Sequence, residues 1–364
     1  MSSYYDFLMI GWGLDYSRNR VLLSKDRHHY KSIEIEKDGY LIRNIKIFFK
    51  TLFAFIKYKS KIVYIPAFNQ ANAPLIILFS KIFKKKIIID ILVSEYDTIV
   101  DDRKLVKKQS FKAKKAFFYD YISTKYADIL ICDTESHKKY FKEKFGVNET
   151  KMKVIPVGAE DIFRPIETKN NQENVEKDVI RVLFYGGFSP LHGIDKILYA
   201  AKYLEDENVR FTLVGKGQTW EEMVELSKKL CLRNVEFIDN IDYRKLPYFI
   251  SQFDIGLGIF GDTGKAMRVV PNKVYQLAAC AKPIISRETP GIKEVFTDMQ
   301  DIILVSNKGD LSKELADKIR FLKEHSNLRK IIGDNAYKLM KENYSVKSIE
   351  DRFANLIDNL RNNK

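Results

Sequence analysis

Cysteine is scarce in this chain. Three occur in 364 residues, Cys132, Cys231 and Cys280, and none forms a Cys-x-x-Cys pair. That argues against a disulfide framework and leaves no structural zinc spacing. No stretch reaches about 18 apolar residues without a charge, so no membrane span is expected. The opening MSSYYDFLMIGWG lacks a basic segment followed by a long apolar core, so a secretory signal is not expected either. The glycine turns carry neither the G-x-G-x-x-G dinucleotide fingerprint nor the G-x-x-x-x-G-K-[ST] phosphate loop. There is no zinc finger, RNP-like strand or compact basic recognition helix, which excludes nucleic acid as the expected partner.

What is present is core-forming material: 45% hydrophobic, 13% aromatic and 30% charged residues. That is the composition of a folded protein, and the length suits two domains. The charge is lopsided, at net +14 overall. Residues 1–165 hold 31 basic and 19 acidic side chains, whereas 166–364 hold 31 and 29. A polyanion or an anionic membrane surface is the partner such an excess suggests, the alternative being a generally lysine-rich composition. Its sources are Lys81, Lys84–Lys86 and the run from Arg103 to Lys115. In that run cations alternate with Leu105, Val106 and Phe111, and Phe117 and Phe118 follow, which reads as an interfacial amphipathic element.

Short apolar runs alternate with helical patterns along both halves. In the first, strands are expected at Phe7–Ile10, Lys31–Glu36, 61–67, 86–92, Tyr126–Cys132 and Lys153–Val157. Helices are expected at Tyr16–Arg27, Ile42–Tyr58, Pro74–Phe83 and 134–146. The polar segment Glu167–Asp178 reads as a linker. The pattern then restarts, with strands at Ile180–Phe184, Arg210–Val214, Val235–Ile238, Asp254–Ile259, Pro283–Ser286 and Ile302–Val305. Helices are expected at Gly193–Leu204, Trp220–Leu230, Asn272–Ala279, most of 311–342 and 347–362. Alternation of this kind means α/β domains with mostly parallel sheets, and ligands of such sheets bind beyond the carboxyl ends of the strands.

Several loops at those strand ends could carry chemistry. Gly186 and Gly187 open the loop YGGFSPLHG ahead of a helix, and Gly215-Lys216-Gly217 repeats the arrangement one strand later. Backbone N–H groups at such places bind phosphate. The stretch GDTGKAMRVVPNKVYQ places Lys265, Arg268 and Lys273 near a helix start, a set of cations suited to a diphosphate, or else ordinary surface lysines. In the first half, Asp90, Ser94 and Asp97 follow an apolar strand. They could orient hydroxyls or accept a proton, or simply cap the next helix. His137 could face a cleft or sit on a surface helix, while His28 and His29 read as surface residues. Asp101-Asp102 does not read as a metal site.

On these residues the chain resembles the retaining nucleotide-sugar glycosyltransferases of GT-B fold, family 4. The resemblance is carried by Gly186-Gly187-Phe188-Ser189-Pro190-Leu191-His192-Gly193, by Val214-Gly215-Lys216-Gly217 and by the stretch from Pro271 to Ile285. It implies two Rossmann-like domains facing a central cleft. Residues 1–165 would take the acceptor, with the last helix at 347–364 packing back on them, and 178–342 would hold the donor. It also implies transfer from a nucleoside-diphosphate sugar to an acceptor hydroxyl, no tightly bound cofactor and no metal. Gly187 and His192 fall where the family carries Arg and Lys against the diphosphate. Gln276 falls on the ribose-gripping Glu, and Arg268 on the first Glu of the Glu-x7-Glu motif.

By the resemblance, Asp97, His192, Arg268 and Lys273 stand at the chemistry. Gly186, Gly187, Gly215, Lys216, Lys265 and Gln276 hold the nucleotide, and Gly13, Asp90, Ser94 and His137 lie on the acceptor side. With the basic, aromatic first half, a lipid-linked saccharide in surface glycan assembly is the acceptor class. The expected location is cytoplasmic, peripheral at the inner face of the plasma membrane. Two other readings stay open: an inactive glycan-binding or scaffold protein of the same fold, and a nucleotide-sugar epimerase.

Overall fold

The computed structural model describes residues 4–23, 27–167, 179–306 and 308–362. The expected linker, apart from Glu167, lies outside the described residues. The chain divides into two compact units, residues 1–157 with 346–364, and residues 158–345.

The first unit runs β1 (Phe7–Gly11), α1 (Ser17–Leu22), β2 (Tyr30–Glu34), α2 (Tyr40–Lys57), β3 (Ile62–Ile65), α3 (Ala73–Ile82), β4 (Lys86–Asp90), a π-helical stretch (Asp97–Asp102), α4 (Phe111–Tyr126), β5 (Ile129–Cys132), α5 (Glu135–Phe145) and β6 (Met152–Val154). Its six strands are parallel in the order β2-β1-β3-β4-β5-β6. The central strands are apolar on both faces, as a parallel sheet covered by helices requires, and Val63, Ile65, Ile87, Ile89 and Leu130 are fully or almost fully buried. The basic run expected as one element from Arg103 is divided. Helix α4 starts only at Phe111, where the Ser110 hydroxyl accepts the Ala113 N–H at 3.2 Å, a serine N-cap.

The second unit runs β7 (Ile180–Tyr185), α6 (Ile194–Tyr203), β8 (Val209–Val214), α7 (Trp220–Lys229), β9 (Val235–Ile238), α8 (Leu246–Ser251), β10 (Ile255–Leu257), α9 (Asn272–Ala279), β11 (Ile284–Arg287), α10 (Pro290–Lys293), β12 (Ile303–Val305), α11 (Leu311–Glu324) and α12 (Ser326–Asn343). Its parallel order is β12-β11-β10-β7-β8-β9. The strand order therefore reverses between β7 and β10 here, and between β1 and β3 in the first unit. In doubly wound sheets the ligand crevice opens at that reversal.

Helix α13 (Val346–Asn362) belongs to the first unit. Its Phe353 ring packs edge-on against Phe7 and Tyr64, at 5.9 and 5.2 Å between centroids, and Arg361 pairs with Asp6 at 2.7 Å. The division between units falls at Val157 rather than Pro165. The reason is local to the second unit: the Tyr243 hydroxyl donates to Glu160, and the Tyr243 ring meets Phe163 at 5.6 Å.

Arg18 of α1 ties the first unit together. Its Nε donates to Asp90 Oδ2 at 2.5 Å, and its other nitrogens donate to the carbonyls of Ile155 and Pro156 at 3.1 and 3.3 Å. Both partners are fully shielded from solvent. Removing one member of such a pair strands a buried charge at a cost of about 3–5 kcal/mol, whereas an apolar replacement of both is close to neutral. Arg18→Met is therefore expected to lower the urea stability of the first unit by about that amount, and Arg18→Met with Asp90→Leu to recover most of it.

Candidate functional site

The turns after β7 and β8 in the second unit lie against each other. The Gly186 N–H donates to the Val214 carbonyl at 2.9 Å. A Cβ on Gly215, whose φ is +129°, would stand 2.0 Å from the Gly186 oxygen, so the contact demands glycine. The loop after β10 closes the other side, with the Phe260 and Gly261 N–H groups donating to the carbonyls of His192 and Leu191 at 3.0 and 3.2 Å. Three side chains converge between these turns. The Lys273 ammonium, from the first turn of α9, lies 3.5 Å from the centroid of the Phe184 ring. The His192 ring lies 5.5 Å from that ring, and its Nδ1 is 3.1 Å from the Ser189 hydroxyl. A Cβ built on Gly186 would be 3.4 Å from Lys273 Nζ and 3.8 Å from His192 Nε2.

Lys273 is 4% exposed, and its ammonium has no hydrogen-bond partner among the described residues. Desolvation holds its pKa well below the ordinary lysine value. Burying a cation this way is costly unless an anion neutralises it.

Other residues assigned to this site from the sequence have different surroundings. The Lys216 ammonium is exposed and pairs with Asp239 at 2.6 Å, so only its backbone joins the glycine turns. Gln276 is buried in an internal chain: its Oε1 lies 3.1 Å from the Tyr185 hydroxyl, and its Nε2 donates to Tyr243 Oη at 3.2 Å. The Tyr185 hydroxyl is also 3.2 Å from the Lys273 carbonyl, and the amide oxygen keeps a second lone pair. Lys265 is buried, and Arg268 folds its guanidinium toward Gly264, where a Cβ would meet Nη1 at 3.0 Å. At Gly187 the nearest atom to a built Cβ is the Lys216 carbonyl at 3.9 Å, so a side chain could start there without collision.

In the first unit the reversal point is clamped by Asn69. Its Oδ1 accepts the Trp12 N–H at 2.8 Å, and its Nδ2 donates to the carbonyls of Trp12, Pro66 and Ala67. The clamp sets the turn in which Gly13, with φ +63°, faces open space. Sequence reasoning passed over Asn69, although an asparagine two positions after the apolar run IVYIPA was a visible signal. It also passed over Asp120. This carboxylate, shielded from solvent, accepts from the Ser94 hydroxyl at 2.6 Å and from the N–H groups of Tyr96 and Glu95 at 2.8 and 3.0 Å. The lone acid in the aromatic run FFYDY was its signal.

Three of the residues expected on the acceptor side have internal partners. Asp90 is held by Arg18, and Ser94 by Asp120. His137 is fully buried, with Nδ1 2.8 Å from Asp133 Oδ1. Asp90 Oδ1 and His137 Nε2 are nonetheless buried with no hydrogen-bond partner among the described residues. Asp97 is also buried, at the start of the π-helical stretch. His28 is not a surface residue, since it packs near Asp6 and Phe353. His29 is exposed and stacks on Tyr5. Among the described residues, no three His, Cys, Asp or Glu side chains gather as metal ligands would.

Residues 195–356 match the family model described as glycosyl transferase-like. A glycosyltransferase of Methanocaldococcus jannaschii is 27% identical over 88% of this chain and 80% of its own length. Chitobiosyldiphosphodolichol beta-mannosyltransferase of Candida albicans is 24% identical over 70% of this chain and 59% of its own length. The Anabaena protein HepE, solved with UDP and glucose, superposes with a TM-score of 0.74 at 14% identity, covering 98% of this chain and all of that one. The fold is GT-B, two Rossmann-like parallel-sheet domains, and the chain is a glycosyltransferase-type protein.

Two stability measurements follow. Burial raises the Asp120 pKa from 3.8 to about 7. The folded state thus holds a proton that the unfolded state has lost, and the contribution of this group falls as pH rises from about 4 to about 7. Asp120→Asn is expected to remove that slope in urea titrations. For Lys273 the sign reverses: the unfolded chain binds the proton more tightly, so stability rises with pH toward the ordinary lysine value near 10.4. Lys273→Met is expected to flatten that rise and to leave the neutral-pH melting temperature equal or higher.

Proposed function

We propose that the chain transfers a sugar from a nucleoside-diphosphate donor to an acceptor hydroxyl, with the second unit holding the donor. The observation that carries this reading is the desolvated Lys273 ammonium, which lacks a hydrogen-bond partner among the described residues beside the Gly186 turn and His192. A diphosphate oxygen supplies the missing acceptor. In the reaction, Lys273, His192 and the N–H groups of 186–193 stabilise the negative charge that grows on the leaving diphosphate. Lys265 and Arg268 extend the cationic wall toward the phosphates or the sugar.

Retention of the anomeric configuration rests on the resemblance of the stretch from Pro271 to Ile285 to the retaining enzymes. The first unit takes the acceptor, with Asp97 and the Gly13 turn as its contacts. The +12 charge of residues 1–165 and the diphosphodolichol acceptor named for the Candida relative support a lipid-linked saccharide in glycan assembly, reached from a membrane face.

Thermal-shift titration with UDP, GDP, ADP and TDP and their sugars tests the reading. One nucleoside diphosphate is expected to protect the wild type, and Lys273→Met to weaken it about 10- to 100-fold, the worth of a charge-assisted hydrogen bond of ~1.5–3 kcal/mol. The bound anion favours the protonated ammonium, so binding takes up protons and weakens as pH rises. Calorimetry in two buffers of different ionisation enthalpy reads that uptake directly. Failure of every nucleotide to protect, or equal binding by Lys273→Met, sinks the proposal.

A further inference from the structure

Helix α2 divides into three sectors at 100° per residue. Ile47, Thr51, Ala54 and Phe55 face the sheet and are buried. Arg43, Lys46, Lys50 and Lys57 form a cationic flank, in which Lys46 pairs with Asp38 and Lys50 with Glu36 at 2.8 and 2.7 Å. Between them lies a stripe of Leu41, Ile42, Ile45, Phe49, Phe53 and Ile56, whose exposures run from 48% to 71%. A helix with that much apolar surface on its solvent side is unpartnered, and monomers rarely keep so large a contiguous patch.

The neighbouring helices extend the same face. Phe48 meets Phe79 of α3 at 5.1 Å between centroids, and Lys115 of α4 lies 3.7 Å over the Tyr40 ring. From α3 the exposed Ile82 sits between Lys81 and Lys84, and from α4 the exposed Phe111 and Phe118 flank Lys112, Lys114 and Lys115. Apolar side chains therefore project from a ground of lysines across three helices.

We infer that this face of the first unit, led by the α2 stripe, inserts into the headgroup layer of a bilayer carrying anionic lipids. The charge pattern selects that occupant. A second copy docked on the same face would set lysines against lysines, whereas acidic headgroups neutralise them while acyl chains take the phenylalanines. No helix among the described residues is long and apolar enough to cross a membrane, so α2 lies in the plane of the surface. The interfacial element read at Arg103–Lys115 becomes the rim of this face, and α2 its centre. The inference stands on exposure and charge, independently of the transfer reaction.

Sedimentation of the full chain with vesicles tests it, using phosphatidylcholine alone and phosphatidylcholine with about one-third phosphatidylglycerol, the fraction being chosen to give an anionic surface. Wild type is expected to pellet with the anionic vesicles, at least about tenfold more weakly with the neutral ones and with rising salt. Phe49→Ser with Phe53→Ser is expected to lose at least about tenfold on anionic vesicles, with melting temperature and nucleotide protection unchanged. Leu41→Ser with Ile56→Ser provides a second variant on the same stripe, should the first fold poorly. Absence of vesicle binding, wild-type binding by both variants, or a wild-type dimer that they dissociate would each overturn the inference. Nucleotide protection, read on the same samples, separates its failure from failure of the donor assignment.

Discussion

A parallel sheet whose strand order reverses cannot cover its own reversal point, because the two crossover helices leave on opposite faces. Both units are built around that constraint. In the second unit it leaves a gap beyond β7 and β10, and the turns there pack so closely that Gly215 stands against the Gly186 carbonyl with no room for a Cβ. In the first unit the same gap beyond β1 and β3 is bridged by the Asn69 side chain. One reversal is thus left with exposed backbone turns and a buried cation, the other with a polar clamp.

The buried cation is the feature that ordinary fold stability does not explain. Lys282, also on the second unit, shows what a structural lysine looks like. It is half-buried, with its pKa lowered by desolvation, but its ammonium donates to the carbonyls of Ser251 and Phe253 at 2.9 and 2.7 Å. Lys273 has the burial without the acceptors. The Phe184 ring face lies against it, at 3.5 Å, and a cation–π contact replaces little of the hydration lost. An arrangement that costs stability in the free protein and gains it when an anion arrives is a pre-organised site rather than a packing accident.

The sequence made the element order legible because fully apolar runs such as KIIIDIL and ADILICDT have few alternatives to buried parallel strands. The glycine turns and Lys273 were legible for a related reason: a glycine pair between a strand and a helix start is local information. What was not legible depended on long-range partners. Nothing near Asp90 in the chain announces Arg18, 72 positions away, and nothing near Ser94 announces Asp120. Helix α4 was obscured by its own charge, since lysines at 112, 114 and 115 hide an apolar side that tertiary packing supplies. Gln276 aligned by spacing with a ribose contact, yet spacing cannot show that two tyrosines already hold its amide.

The same distinction separates site from scaffold across the molecule. Two first-unit aspartates at strand ends, Asp90 and Asp133, have internal partners in Arg18 and His137, and Asp120, within α4, accepts from Ser94. A buried charge already neutralised has nothing to offer a substrate, and its removal is felt as lost stability. A buried charge without a hydrogen-bond acceptor is the reverse case, and its removal is felt in binding. Asp120 holds the 94–97 segment in place, and in the second unit the Lys273 ammonium lacks a hydrogen-bond partner among the described residues.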